Sequence, residues 1–196
     1  MEIRTFPVGS YQTNCYIAWG EGSDRCILVD PGYEPEFLLE QASLLRKQVE
    51  AILLTHGHFD HVGGVKQIAK QTGCKVYICD EDLALNPMLT AGAIYYTDTY
   101  TDGDTLSLAG LNLTVMQTPG HTPGSVCLLC GDTMFSGDTL FAGSIGRTDF
   151  PGGSYKSMLV SLSCLAALEG DYRVLPGHSE ETTLETERTT NPYMRL

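Results

Sequence analysis

Four potential metal ligands crowd into six residues of this chain: His56, His58, Asp60 and His61, within Thr55-His56-Gly57-His58-Phe59-Asp60-His61. The run VEAILLT (49–55) leads straight into them and is apolar enough to read as a buried strand. The fold must therefore open out at the end of a core strand and present several polar side chains together. His56 and His58 are two apart, so extended backbone projects both to one side. Asp60 and His61 follow where the chain turns toward a helix. Gly57, Gly63 and Gly64 are expected to supply backbone conformations barred to other residues. One surface histidine would carry no meaning, but three with a carboxylate at this spacing are a metal-binding signal.

The remaining candidates are placed the same way. His121 lies in Pro119-Gly120-His121-Thr122-Pro123-Gly124, just past a strand-like run at 111–117. Asp138 lies in Ser136-Gly137-Asp138-Thr139, past 132–136, and His178 in Pro176-Gly177-His178, past 172–175. All five histidines thus fall at predicted strand exits flanked by Gly or Pro. Such exits carry the rigid loops where α/β folds gather catalytic groups.

Further strands are predicted at 2–8, 14–20, 25–30, 75–79, 104–108 and 124–130, bounded by Gly, Ser and Asp turn signals. Helices are predicted at 34–47, 62–72 and 155–168; the first carries Phe37, Leu38, Gln41, Leu44 and Leu45 at helical spacing. Residues 80–103 are less regular. Strands, βα units, strands and βα again fit two mixed sheets packed together with helices outside, an α/β layered architecture. No repeat or linker interrupts residues 1–196, so one domain is expected.

Charge narrows the partners. The net charge is -12, and the twelve bases form no cluster, which argues against nucleic-acid binding. No apolar run reaches the roughly 18–20 residues of a membrane span, and the N-terminus lacks a secretory pattern. Seven cysteines, several in apolar alternating segments, suit a reducing, cytoplasmic compartment. Cys127-Leu-Leu-Cys130 has redox-motif spacing, but its strand-like setting predicts core packing. The expected partner is a small-molecule substrate, for a monomer or small homo-oligomer.

THGHFDH, PGHTPG, SGDTLF and PGH, in this order, resemble the signature set of the metallo-β-lactamase superfamily. The resemblance runs from about Gly9 to Pro192. It implies a four-layer αββα sandwich with metals at one edge between the sheets. Carried over by position, His56, His58 and His121 would hold one metal, Asp60, His61 and His178 a second, and Asp138 would bridge both. Imidazole and carboxylate donors suit zinc and iron; zinc is the first expectation for the two divalent ions, iron or a mixed pair the second. Such a pair supplies a hydroxide nucleophile near neutral pH and polarises a carbonyl. The implied catalytic carboxylates are Asp60 and Asp138.

Asp60 together with Asp138 resembles the glyoxalase II-like branch, and Gly146-Arg147-Thr148-Asp149-Phe150-Pro151-Gly152-Gly153-Ser154 resembles short hydroxyacylglutathione hydrolase-like proteins, as does GHSEETTLETERTTNPY (177–193). The implied reaction is hydrolysis of thioesters such as hydroxyacylglutathione. Full glyoxalase II carries a C-terminal helical domain that contacts glutathione; only residues 179–196 follow His178 here, so that domain is expected to be missing. The alternative is a mononuclear iron persulfide dioxygenase of the same fold, using His56, His121 and Asp138 as a facial triad. A non-catalytic metal or redox module is a third reading, without an attached flavin domain to support it. Arg147 is a candidate substrate-carboxylate ligand, against the plainer alternative of a salt bridge to Asp149. Tyr11, Asn14, Tyr16, Thr139 and the stretch Tyr95–Tyr100 carry either substrate-loop or structural duties.

Overall fold

The computed structural model describes residues 1–195. Six strands form the first sheet: β1 (Glu2–Val8), β2 (Thr13–Trp19), β3 (Arg25–Val29), β4 (Gln48–Leu53), β5 (Lys75–Cys79) and β6 (Asp98–Tyr100), hydrogen-bonded in that order. β3 to β6 run parallel, and β1 and β2 are added antiparallel. The second sheet contains β7 (Thr105–Leu108), β8 (Leu111–Gln117), β9 (Val126–Cys130), β10 (Thr133–Gly137), β13 (Arg173–Pro176) and β14 (Thr182–Thr183), in the order β14-β13-β10-β9-β8-β7. A short hairpin, β11 (Leu140–Phe141) with β12 (Ser144–Ile145), stands apart. The helices are α1 (Pro35–Leu44), α2 (Phe59–Val62), α3 (Val65–Thr72), α4 (Tyr155–Ala166) and α5 (Leu184–Thr190).

Period-two alternation builds the layers. Along β3, Ile27 and Val29 face the second sheet, while Cys26 and Leu28 face α1 and α3. Along β9, Val126, Leu128 and Cys130 point between the sheets, whereas Cys127 and Leu129 point toward α4 and α5. Both faces of these strands are covered, so their sequences are continuous apolar runs. The result is the expected αββα sandwich. Cys127 and Cys130 lie on opposite faces of one strand, so their spacing is core packing, as predicted. No cysteine is paired among the described residues, and no helix there is long and apolar enough to cross a membrane.

Three local expectations change. The helix predicted over 62–72 is two pieces, broken at Gly63-Gly64. These glycines have ordinary φ values of -60° and -86°, so backbone freedom is not their purpose. Space is: a Cβ on Gly63 would sit 2.4 Å from the Gly32 carbonyl oxygen, and one on Gly64 2.6 Å from that of Pro31. The predicted helix 34–47 stops at Leu44, because Arg46 takes φ +57°. The tail contains α5, opened by Thr183, whose side chain accepts from the Thr186 amide at 3.2 Å.

Candidate metal centre

β3, β4 and β5 run parallel, and β8, β10 and β13 share one direction in the second sheet. The carboxyl ends of these six strands release Asp30, then His56 and His58, then Asp82, and opposite them His121, Asp138 and His178. The seven residues singled out by sequence come together at this edge. Nitrogens of His56, His58 and His121 lie within 4.8 Å of one another, as do donor atoms of Asp60, His61 and His178. Asp138 reaches both groups: one oxygen is 3.5 Å from His121 Nε2 and 3.6 Å from His178 Nε2, the other 3.5 Å from His61 Nε2.

The surroundings fix the rings. His61 Nδ1 meets Asp30 Oδ2 at 3.0 Å, and Asp30 also accepts from the Thr55 amide and hydroxyl, at 2.8 and 2.6 Å. His121 Nδ1 is 2.7 Å from the Arg147 carbonyl, and His178 Nδ1 is 3.2 Å from that of Tyr11. These contacts leave the other ring nitrogens facing inward, the arrangement by which outer partners orient metal-binding imidazoles. Asp82, fully buried, accepts from the Gly57 amide (2.7 Å), the Thr122 hydroxyl (2.9 Å) and the Gly124 amide (2.7 Å). One carboxylate thereby clamps the loop of His56 and His58 to the loop of His121.

Charge is divided unevenly. Burial and the neighbouring imidazoles push His56 well down and His58 down to about 4, so both present free lone pairs at neutral pH. Burial alone would also lower His61, but Asp138, Asp30 and Asp60 outweigh it and lift the ring to about 9. Burial works to raise the Asp60 carboxyl; the hydrogen bond from His178 and the charges of His61 and His178 overcome it and hold Asp60 below the usual carboxylate range.

The donor set fits bound cations. His56 Nε2 and Asp138 Oδ1 are buried without a hydrogen-bond partner, a condition that costs about 1–3 kcal/mol per group. His58 Nδ1 and His121 Nε2 face each other at 2.8 Å, which two neutral lone pairs do not tolerate without a proton or cation between them. A Cβ on Gly177 would lie 2.2 Å from Asp138 Oδ1 and 2.8 Å from His61 Cε1, so the backbone is stripped to let these donors converge.

Arg147 stands at the rim, where its Nε and Nη2 donate to the two carboxylate oxygens of Asp149, both at 2.7 Å. The salt bridge foreseen as the plainer reading is therefore made. Tyr16 and Asn14 donate to the Pro176 carbonyl and steady the exit of β13, and Thr139 is buried against Thr118. Tyr100 is buried between the sheets and donates to the Leu54 carbonyl, away from the cleft. Asp30 and Asp82 escaped sequence reasoning, which followed histidines. Their signal was position after an apolar run: Asp30 directly follows one in RCILVD, and Asp82 is the third residue past one in KVYICDED.

A family profile described as the metallo-beta-lactamase superfamily matches residues 8–178. The chain is 34% identical to hydroxyacylglutathione hydrolase GloC of Haemophilus influenzae, over 99% of this chain and 98% of that protein. The crystal structure of BLEG-1 B3 metallo-beta-lactamase superposes with a TM-score of 0.90 at 33% identity, covering all of both chains. TTHA1623 in a di-iron-bound form superposes with a TM-score of 0.84 at 38% identity, over 97% of this chain and 99% of that one.

Proposed function

The chain belongs to the metallo-beta-lactamase superfamily of metal-dependent hydrolases, and from that premise we propose that it hydrolyses thioesters at a dinuclear centre in the cytoplasm. The observation that carries this reading is the position of Asp138, one carboxylate within 3.6 Å of imidazoles from both donor groups. A carboxylate placed to reach both donor groups suits a metal pair. His56, His58 and His121 would hold one ion and Asp60, His61 and His178 the other, with zinc first and iron second in fit to these donors. The likeness to GloC supports the thioester, and the di-iron form of TTHA1623 supports the pair.

Bound there, two divalent ions would lower the pKa of a water toward neutrality and polarise a carbonyl. The chain's own residues set the rest. Asp60, held ionised and contacted by the Thr13 hydroxyl at 3.2 Å, keeps negative charge beside the attacking water and orients it, while the proton shed by that water passes to solvent. The water oxygen bonds to the carbonyl carbon, the C–S bond breaks, and the departing thiolate recovers a proton, giving a carboxylic acid and a thiol. Phe59, Phe141 and Phe150 line the approach and limit water around the reacting carbonyl.

Elemental analysis of purified protein, beside assays with S-lactoylglutathione and with a persulfide under oxygen, tests the reading. Two ions per chain with thioester cleavage are expected. One iron per chain with oxygen consumed on persulfide, and no thioester cleaved, would establish the dioxygenase chemistry of the His56, His121 and Asp138 triad instead.

A further inference from the structure

The donor cluster sits at the floor of a cleft of about 410 Å³. Its other lining residues are Tyr11, Phe59, Leu89, Phe141, Phe150 and Arg147. The aromatic rings surround the imidazoles: Phe59 meets Tyr11 edge-on at 5.3 Å, Phe150 stands 5.8 Å from the His58 ring, and Phe141 stands 6.2 Å from that of His178. A molecule whose carbonyl reaches the floor must place its remaining groups against these walls.

Arg147 is the single Lys or Arg of the lining, and its charge is already engaged. Its guanidinium makes a bidentate pair with Asp149 and lies 3.8 Å above the Phe150 ring. Asp149 takes the Nε and Nη2 edge and offsets the charge, and both side chains are more than half exposed, so a second carboxylate at the remaining Nη edge would gain little. The chain as a whole carries -12, so its field also repels anions. Glutathione brings two carboxylates, and the walls above the donor cluster offer them no Lys or Arg other than the already paired Arg147.

Resting on the thioester-hydrolase reading, we infer that the substrate is an uncharged thioester whose thiol half is apolar or aromatic, seated among Tyr11, Phe59, Phe141 and Phe150, rather than a glutathione conjugate. Stacking and edge contacts with these rings recognise such a group. The desolvation that repels a peptide carboxylate favours a hydrocarbon body. Arg147, stacked and neutralised, then serves as part of a wall.

The test uses metal-replete enzyme and two lactoyl thioesters, one of glutathione and one of benzyl mercaptan, each rate divided by its uncatalysed hydroxide rate. The benzyl ester is expected to show kcat/KM higher by roughly tenfold or more, the scale on which apolar pockets discriminate. A second arm measures binding calorimetrically with thioethers that cannot be hydrolysed, N-acetyl-S-benzylcysteamine against S-methylglutathione, where the benzyl compound is expected to bind tighter. A third arm substitutes Asp149→Asn, which frees Arg147 and should shift the kcat/KM ratio toward the glutathione ester. Equal or better use of S-lactoylglutathione, with equal or tighter binding of S-methylglutathione, overturns the inference. If neither ester is cleaved while the thioether preference holds, the hydrolase reading fails and the assignment of an apolar ligand stands.

Discussion

The two halves of the centre are built differently. The His56, His58 and His121 half has no carboxylate of its own, is almost wholly buried, leaves His56 Nε2 without a partner, and brings His58 Nδ1 and His121 Nε2 face to face. The Asp60, His61 and His178 half satisfies itself: His178 Nε2 lies 3.3 Å from Asp60, His61 Nε2 lies 3.6 Å from Asp60, and His61 Nδ1 rests on Asp30. The side chain of His178 is also 24% exposed, against 4% for His121. A cation entering the first half relieves unmet lone pairs, whereas one entering the second must replace ion pairs already made and compete with water. Equal numbers of donors thus give unequal sites. Stepwise chelation of metal-loaded protein should remove the second-half ion first, and a single unresolved phase would break the comparison.

Asp138→Ala carries the largest expected effect, because its one carboxylate lies within 3.6 Å of imidazoles from both halves. Turnover should fall by at least roughly a hundredfold, the upper range seen even for outer-sphere partners, and metal content should drop. Undiminished turnover in a fully metal-loaded variant would remove Asp138 from the bridge. Gly177→Ala should follow, since its Cβ would strike Asp138 Oδ1 at 2.2 Å and His61 Cε1 at 2.8 Å. The second-half ion should then leave at lower chelator concentration while the first-half ion is held nearly as before.

Asp82→Ala reverses that pattern. It strips the clamp from Gly57, Thr122 and Gly124, so first-half affinity should weaken by about 10–100-fold. Stability should fall by about 1–3 kcal/mol, read as a lower melting temperature, because buried amides lose their acceptor. Asp82→Asn should recover little, since its NH2 would face an N–H where an oxygen is needed. Full recovery by Asn would show that the clamp is a matter of volume alone.

The donors were legible in the sequence because each stands at a strand exit marked by Gly or Pro, where a histidine has few structural uses. The layers were legible because both faces of the inner strands are covered, as in VEAILLT and VCLLC. What escaped was held by tertiary contact. The helix α5 has a single buried apolar residue, Leu184, and is docked by Glu187, which accepts from the Gly143 amide and from Thr182 and Asn191. No periodicity announces that. Gly57, Gly63 and Gly64 were expected to supply special backbone conformations, but none has a positive φ; Gly57 instead leaves room for Ile94, and Gly63 and Gly64 for the backbone of Pro31 and Gly32. Asp30 and Asp82 needed the parallel order of β3, β4 and β5 to be known before their exits could be aligned with those of the histidines.

Tyr16→Phe should give the smallest effect and the finest resolution of the two halves. The Tyr16 hydroxyl donates to the Pro176 carbonyl at 2.6 Å, but Asn14 Nδ2 donates to the same oxygen at 3.0 Å and to Ser179 besides. Removing the hydroxyl leaves no orphaned acceptor, so the loss in stability should be about 1 kcal/mol or less. The loop of His178 should loosen slightly, and the early chelation phase alone should advance. If both phases move together, Tyr16 steadies the sandwich as a whole, and the second half owes its weakness to exposure of His178 rather than to the hold on its loop.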